Sequence, residues 1–160
     1  MATHSGAAAA NAHTVYPNFT DDALVYTRET KIGRGLFARV DLPAGKMLGA
    51  LSAGVTTALD IKSDGSVDYP PCTVGQCIDL IIRDNKLVTI LKPADVYYDG
   101  VDMINHNCEP NCTITETLVV VTLREIRADE ELTCDYLKTG ITKLREGIHC
   151  QCRPGCQTIL

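Results

Sequence analysis

The feature that most limits how this chain can fold is its texture of short apolar segments punctuated by turn-forming residues. Leu36 to Val40, Lys46 to Leu51, Cys77 to Arg83, Leu87 to Leu91, Leu118 to Leu123 and Glu131 to Asp135 are each only a few residues long. They are rich in Leu, Ile and Val and are separated by Gly, Pro, Asp or Asn, a pattern that predicts strands. No window sustains a helical period beyond two or three turns, so long helices are excluded. Asp84-Asn85, between two apolar runs, reads as a hairpin turn, and Leu42-Pro43-Ala44-Gly45 as a second turn between strands. The prediction is a mainly β domain of several small sheets with few short helices. It lacks the strand and helix alternation that places a ligand at a Gly-rich helix N-terminus.

At 160 residues the chain fits one domain. Fifteen Lys and Arg against twenty Asp and Glu give a net charge of −5 with no basic run, which argues against direct nucleic-acid binding. An acidic surface suits a basic peptide, although mild acidity is also a common route to solubility. The longest apolar runs are too short to cross a bilayer. The opening MATHSGAAAANAH has neither the charged start nor the apolar stretch of a secretion signal. An intracellular location, nuclear or cytoplasmic, is expected, with residues 1–23 as a mobile Ala-rich tail. In that setting the eight cysteines fit thiols and metal better than disulfides.

Four constellations carry chemistry. Gly33-Arg34-Gly35, leading into Leu36-Phe37-Ala38, lets backbone approach a ligand closely, and a plain turn or bulge explains it equally well. Ile104-Asn105-His106-Asn107-Cys108-Glu109-Pro110-Asn111-Cys112 packs hydrogen-bonding groups around a turn directly after an apolar pair. Glu130-Glu131-Leu132-Thr133-Cys134-Asp135-Tyr136 is a strand ending in a phenol. In an apolar pocket that hydroxyl orients an amine while staying neutral; the plainer alternative is a half-buried strand tyrosine. Cys150, Cys152 and Cys156 place three thiols within seven residues, one short of a tetrahedral zinc site, with Cys108 as the candidate fourth ligand. A redox-active or disulfide-bonded tail is the other reading.

In this order the four pieces resemble the SET domain of protein lysine methyltransferases followed by its short post-SET cysteine segment. INHNCEPNC is similar to the family's Asn-His-Ser-Cys-x-Pro-Asn motif, with Asn107 in place of Ser, and LTCDY to its Glu-Leu-x-Tyr/Phe-Asp-Tyr motif. The resemblance implies a β-rich SET core in which these two motifs cross as a C-terminal pseudoknot. It places the SET domain at residues 24–138 and a linker with the zinc-binding segment at 139–160. It implies S-adenosylmethionine bound by Arg34, Gly35, Asn105 and His106, Tyr136 as the catalytic residue at the throat of a lysine channel, and a basic peptide or histone tail as substrate. Structural zinc would be held by Cys108, Cys150, Cys152 and Cys156, leaving Cys112 outside.

Some positions depart from the family pattern. Cys134 stands where the family has an aromatic that limits the number of methyl groups, which predicts a wider channel. Ala50-Leu51-Ser52-Ala53-Gly54 replaces Glu-Tyr-x-Gly-Glu, and Asp102-Met103 replaces Arg-Phe. Aromatic walls must then come mainly from tyrosines such as Tyr69, Tyr97 and Tyr98. Against lysine methylation stand two alternatives: the scaffold reused for a reaction on a small molecule, and a catalytically silent binding module.

Overall fold

A computed structural model of the chain describes residues 17–52, 55–68, 74–93, 97–139, 141–142 and 149–158. The strands are β1 (Phe19–Thr20), β2 (Val25–Thr30), β3 (Gly33–Ala38), β4 (Met47–Ala50), β5 (Val55–Asp60), β6 (Val74–Arg83) and β7 (Lys86–Pro93), followed by β8 (Asn105–His106), β9 (Cys112–Ile114), β10 (Val119–Thr122), β11 (Glu131–Cys134) and β12 (Ile141–Thr142). A 3-10 turn over Gly100–Met103 and a single-turn helix α1 (Tyr136–Thr139) are the helical pieces among the described residues. No described helix is long and apolar enough to cross a membrane.

Among the described residues three four-stranded sheets result, in the orders β1-β4-β10-β9, β2-β3-β11-β8 and β12-β6-β7-β5. The mainly β fold of several small sheets expected from the sequence is the one observed. The hairpin turn lies where it was expected, between β6 and β7. Asp84 and Asn85 both take left-handed backbone, with φ of 51° and 58°, the geometry that a two-residue turn between twisted strands requires.

The differences have local causes. Leu118 belongs to a turn and not to the following strand: its φ is 63°, and its amide donates to the Thr115 carbonyl at 2.9 Å. The last motif strand stops at Cys134, because the Asp135 carboxylate accepts the Leu137 amide at 3.1 Å and starts a helical turn beneath Tyr136. Residues 1–16 lie outside the described residues, but Phe19 and Thr20, within the expected tail, pair with Ala50 and Gly49 of β4. Strand pairing therefore begins before the expected boundary at residue 24.

One apolar cluster, including Val25, Leu36, Leu48, Val120, Ile126 and Leu132, joins the first two sheets. Fully burying such a side chain contributes about 1.5–3 kcal/mol. Tyr136 belongs to the same cluster, so the functional motifs are built on the core itself.

Candidate functional site

β11 lies between two partners. It pairs antiparallel with β3, Glu131 opposite Phe37 and Leu132 opposite Leu36, and parallel with β8, Thr133 opposite Asn105 and Cys134 opposite His106. The chain after β8 then folds back across β11. Buried Asn111 donates from Nδ2 to the Glu131 carbonyl at 2.8 Å and to Glu130 Oε1 at 3.1 Å, and its Oδ1 accepts the Thr133 amide at 2.9 Å. These bonds make the asparagine-histidine turn and the tyrosine-ended strand one crossed unit.

His106 and Tyr136 meet at this crossing. Their ring centroids are 5.4 Å apart, and His106 Nδ1 accepts the Tyr136 amide at 3.1 Å. With Nδ1 accepting, the ring proton sits on Nε2, which faces Cys108 Sγ at 3.4 Å. Tyr136 donates its hydroxyl to the Ile104 carbonyl at 2.7 Å. Burial, with a smaller effect from nearby Cys134, holds its phenol well above the usual value, so the side chain stays neutral. Cys134, the expected channel residue, is fully buried beside it in β11.

Gly35 and Asn105 also converge. Asn105 Nδ2 donates to the Arg34 carbonyl at 3.2 Å and to Glu131 Oε1 at 3.0 Å. A methyl group at Gly35 would sit 2.7 Å from that same carboxylate oxygen, so the close approach at this glycine is made by Glu131. Gly33 has a φ of 112°, and the space beside it is free of atoms to 4 Å. The Arg34 guanidinium turns the other way. It pairs with Asp99 and donates to Tyr97 Oη at 2.9 Å and the Tyr98 carbonyl at 3.2 Å. Tyr97 is a largely exposed partner of Arg34; Tyr69 lies outside the described residues.

The cysteine tail packs against the same crossing. The sulfurs of Cys108, Cys150, Cys152 and Cys156 all lie within 4.8 Å of one another, with Cys108 3.8 Å from Cys150 and 3.7 Å from Cys156. Four thiolates bound tetrahedrally to zinc at about 2.3 Å have sulfurs about 3.8 Å apart, so the set has the dimensions of a metal site. Thr158 ties it together: its carbonyl accepts the Cys150 amide at 2.8 Å, and its hydroxyl lies 3.3 Å from Cys108 Sγ. Hydrogen bonds from the same threonine pull the Cys156 thiol down to about 6, whereas burial pushes Cys150 up to about 12. Cys112 stands outside the cluster, buried and pushed up to about 12.

The sequence model of the SET domain family matches residues 33–137, the span that holds the Gly33-Arg34-Gly35 strand, the crossing and Tyr136. The chain belongs to the SET domain family. It is 29% identical over 134 residues, 79% of its length, to the Histone-lysine N-methyltransferase, H3 lysine-4 specific, of Candida albicans. To the human Histone-lysine N-methyltransferase 2B it is 30% identical over 127 residues, 75% of its length. It spans only 12% and 4% of these relatives. The methyltransferase domain of human Histone-lysine N-methyltransferase SETMAR has a similar fold, with a TM-score of 0.50 at 17% identity, covering 82% of this chain and 55% of that one.

Four contributors carry roles that the sequence does not announce: Glu131, Asn111 and Asp99 in the SET domain and Thr158 beside the cysteines. Asn111 and Glu131 stand inside the INHNCEPNC and EELTCDY motifs, where their polarity next to apolar neighbours is a usable signal. Asp99 and Thr158 stand in no pattern that marks them, and only the fold brings them to Arg34 and the cysteines.

Proposed function

We propose that this SET domain binds S-adenosylmethionine at the crossing of β8 and β11 and directs its methyl group to a lysine side chain of a basic protein segment, a histone tail being the model substrate. The observation that carries this reading is the convergence of Asn105, His106 and Tyr136 on one crossed unit. The kinship to histone-lysine methyltransferases supports the substrate class and with it a nuclear or cytoplasmic location. In this reading the SET domain takes in the strand pairing that starts at Phe19 and runs to residue 138, and residues 139–160 form the linker and post-SET segment. The family match ending at residue 137 and the three cluster cysteines beyond it, Cys150, Cys152 and Cys156, support the division at the C-terminal side.

The residues present fit the ligand. With both Nδ2 hydrogens engaged, Asn105 keeps its Oδ1 as an acceptor suited to an ammonium group, and the open side of Gly33 leaves room for a ligand against the strand. When bound, S-adenosylmethionine supplies a methyl group on a positively charged sulfur. The chain's own contribution is placement and exclusion of water. A lysine attacks only as a free amine, and its ordinary pKa of about 10.4 falls in a buried channel. Tyr136 holds its proton and orients the amine; its raised pKa and its bond to the Ile104 carbonyl argue against a role as base. Cys134 is taken as the channel residue that leaves space for more than one methyl group. Cys108, Cys150, Cys152 and Cys156 would hold a structural zinc against the outer side of His106.

The test is incubation with methyl-labelled S-adenosylmethionine and histone or basic peptide mixtures. The expected result is label on lysine, reduced a hundredfold or more, roughly, in Tyr136→Phe, with cofactor affinity nearly unchanged. Equal rates in the variant would remove Tyr136 from its role. Tight cofactor binding without any lysine label would instead favour a reaction on a small molecule.

A further inference from the structure

We propose that Glu131 is a positioning residue of the cofactor cleft, locking the Asn105 carboxamide so that its oxygen faces the ligand; this rests on the reading of Asn105 as a cofactor-binding residue. The carboxamide has one end that donates and one that accepts. Near Asn105 lie two groups that only accept, the Arg34 carbonyl at 3.2 Å and Glu131 Oε1 at 3.0 Å. Turning the amide over would press Oδ1 against both of them with no hydrogen between. Glu131 and Arg34 therefore fix which end of Asn105 points away from them.

The chain makes room for this contact. Glu131 pairs with Phe37 of β3, and Gly35 lies two residues back on the same face of that strand. The carboxylate leans across Gly35 to reach Asn105. A Cβ at position 35 would stand 2.7 Å from Glu131 Oε1, so the carboxylate would have to move, and 3.1 Å from Asn105 Nδ2, a tight contact that a shift of a few tenths of an ångström relieves. Gly35 thus serves Glu131, which in turn serves Asn105. The ligand group recognised is a hydrogen-bond donor, the ammonium of the amino-acid part of the cofactor, which the demethylated product S-adenosylhomocysteine also carries.

The test is calorimetric titration of the full chain with S-adenosylmethionine and with S-adenosylhomocysteine, for wild type, Glu131→Ala, Glu131→Gln and Gly35→Ala. Loss of one charge-assisted hydrogen bond predicts that Glu131→Ala binds both ligands about tenfold more weakly. Glu131→Gln, whose amide oxygen still accepts, should stay within about threefold of wild type. Gly35→Ala, which displaces the carboxylate without removing it, should resemble Glu131→Ala and keeps the test decisive if that variant fails to fold. As a readout independent of affinity, the Asn105 side-chain amide protons should shift in nitrogen-resolved NMR spectra of ligand-free Glu131→Ala. Wild-type affinity in Glu131→Ala or Gly35→Ala overturns the proposal. So does a loss confined to S-adenosylmethionine, which would mean that Glu131 answers the sulfonium charge directly. If wild type binds neither ligand, the cleft reading itself fails and this inference with it.

Discussion

The β8–β11 crossing and the cysteine cluster adjoin at His106, yet they are held by different forces. The crossing is closed by a parallel backbone pair, by the three hydrogen bonds of Asn111 and by packing of Tyr136 in the core. The cluster draws on thiols more than forty residues apart, linked by Thr158 and a few loop contacts. Chain packing alone organises the first, whereas the second has the dimensions and chemistry to be completed by an ion. A site of this kind can be rigid where chemistry is guided and dependent on a bound metal where it is closed.

The sharpest break between the two regions should come from metal removal. About one zinc per chain is expected by elemental analysis, and Cys152→Ser or a strong chelator should release it. Because structural zinc contributes on the order of 10 kcal/mol to the segments it folds, residues 149–158 should then become open to protease and hydrogen exchange. Amides of β3 and β11 should stay protected. Simultaneous loss of protection in both regions would show that they form one cooperative unit.

The reverse break is Asn111→Ala. It strands the buried Thr133 amide and the Glu131 carbonyl, costing about 3 kcal/mol. For a domain of this size that corresponds to a fall in Tm of about 6–12 °C, with the metal retained in the folded fraction. An unchanged Tm would mean that the crossing is held elsewhere.

The smallest effect is expected at the rim of the crossing. Arg124 beside Glu130, opposed by partial burial and aided by Asn111, holds that carboxyl below its usual value. Its folded value lies below the unfolded one, so its stabilisation is complete above the ordinary carboxylate range and is lost as pH falls through the folded value. Both partners are partly exposed, so the contribution is below about 1 kcal/mol. Glu130→Gln should flatten the acid limb of a stability titration between about pH 5 and 3. An identical acid limb in the variant would remove Glu130 from this role.

The legible parts of the sequence were those where one residue type does one job. Asp84-Asn85 announced its turn, and the apolar cores of β3, β7 and β11 announced strands. β2 carries no strand pattern of its own, because VYTRET buries only Val25 fully and turns the rest outward or to the rim; its place is set by six paired positions on β3. The cysteine tail signalled a metal by spacing, and the structure brings the named fourth cysteine to it. The spacing of Gly33 and Gly35 marks a place for close backbone approach, and at Gly35 the space of a Cβ is taken by a carboxylate from a strand almost a hundred residues away. Local sequence cannot show such contacts, because they depend on strand register rather than on neighbours in the chain.

If the crossing frames the cofactor, titration of the isotope-labelled, zinc-loaded chain with S-adenosylmethionine reads the contact residue by residue. The largest NMR shift changes should then fall on Gly33, Gly35, Asn105, His106 and Tyr136. Changes that leave Asn105, His106 and Tyr136 unmoved and fall only on the groove of about 280 Å³ lined by Thr20, Tyr26, Thr27, Arg39, Asp99 and Gly100 would speak for a different site, and no saturable change at all would contradict the placement.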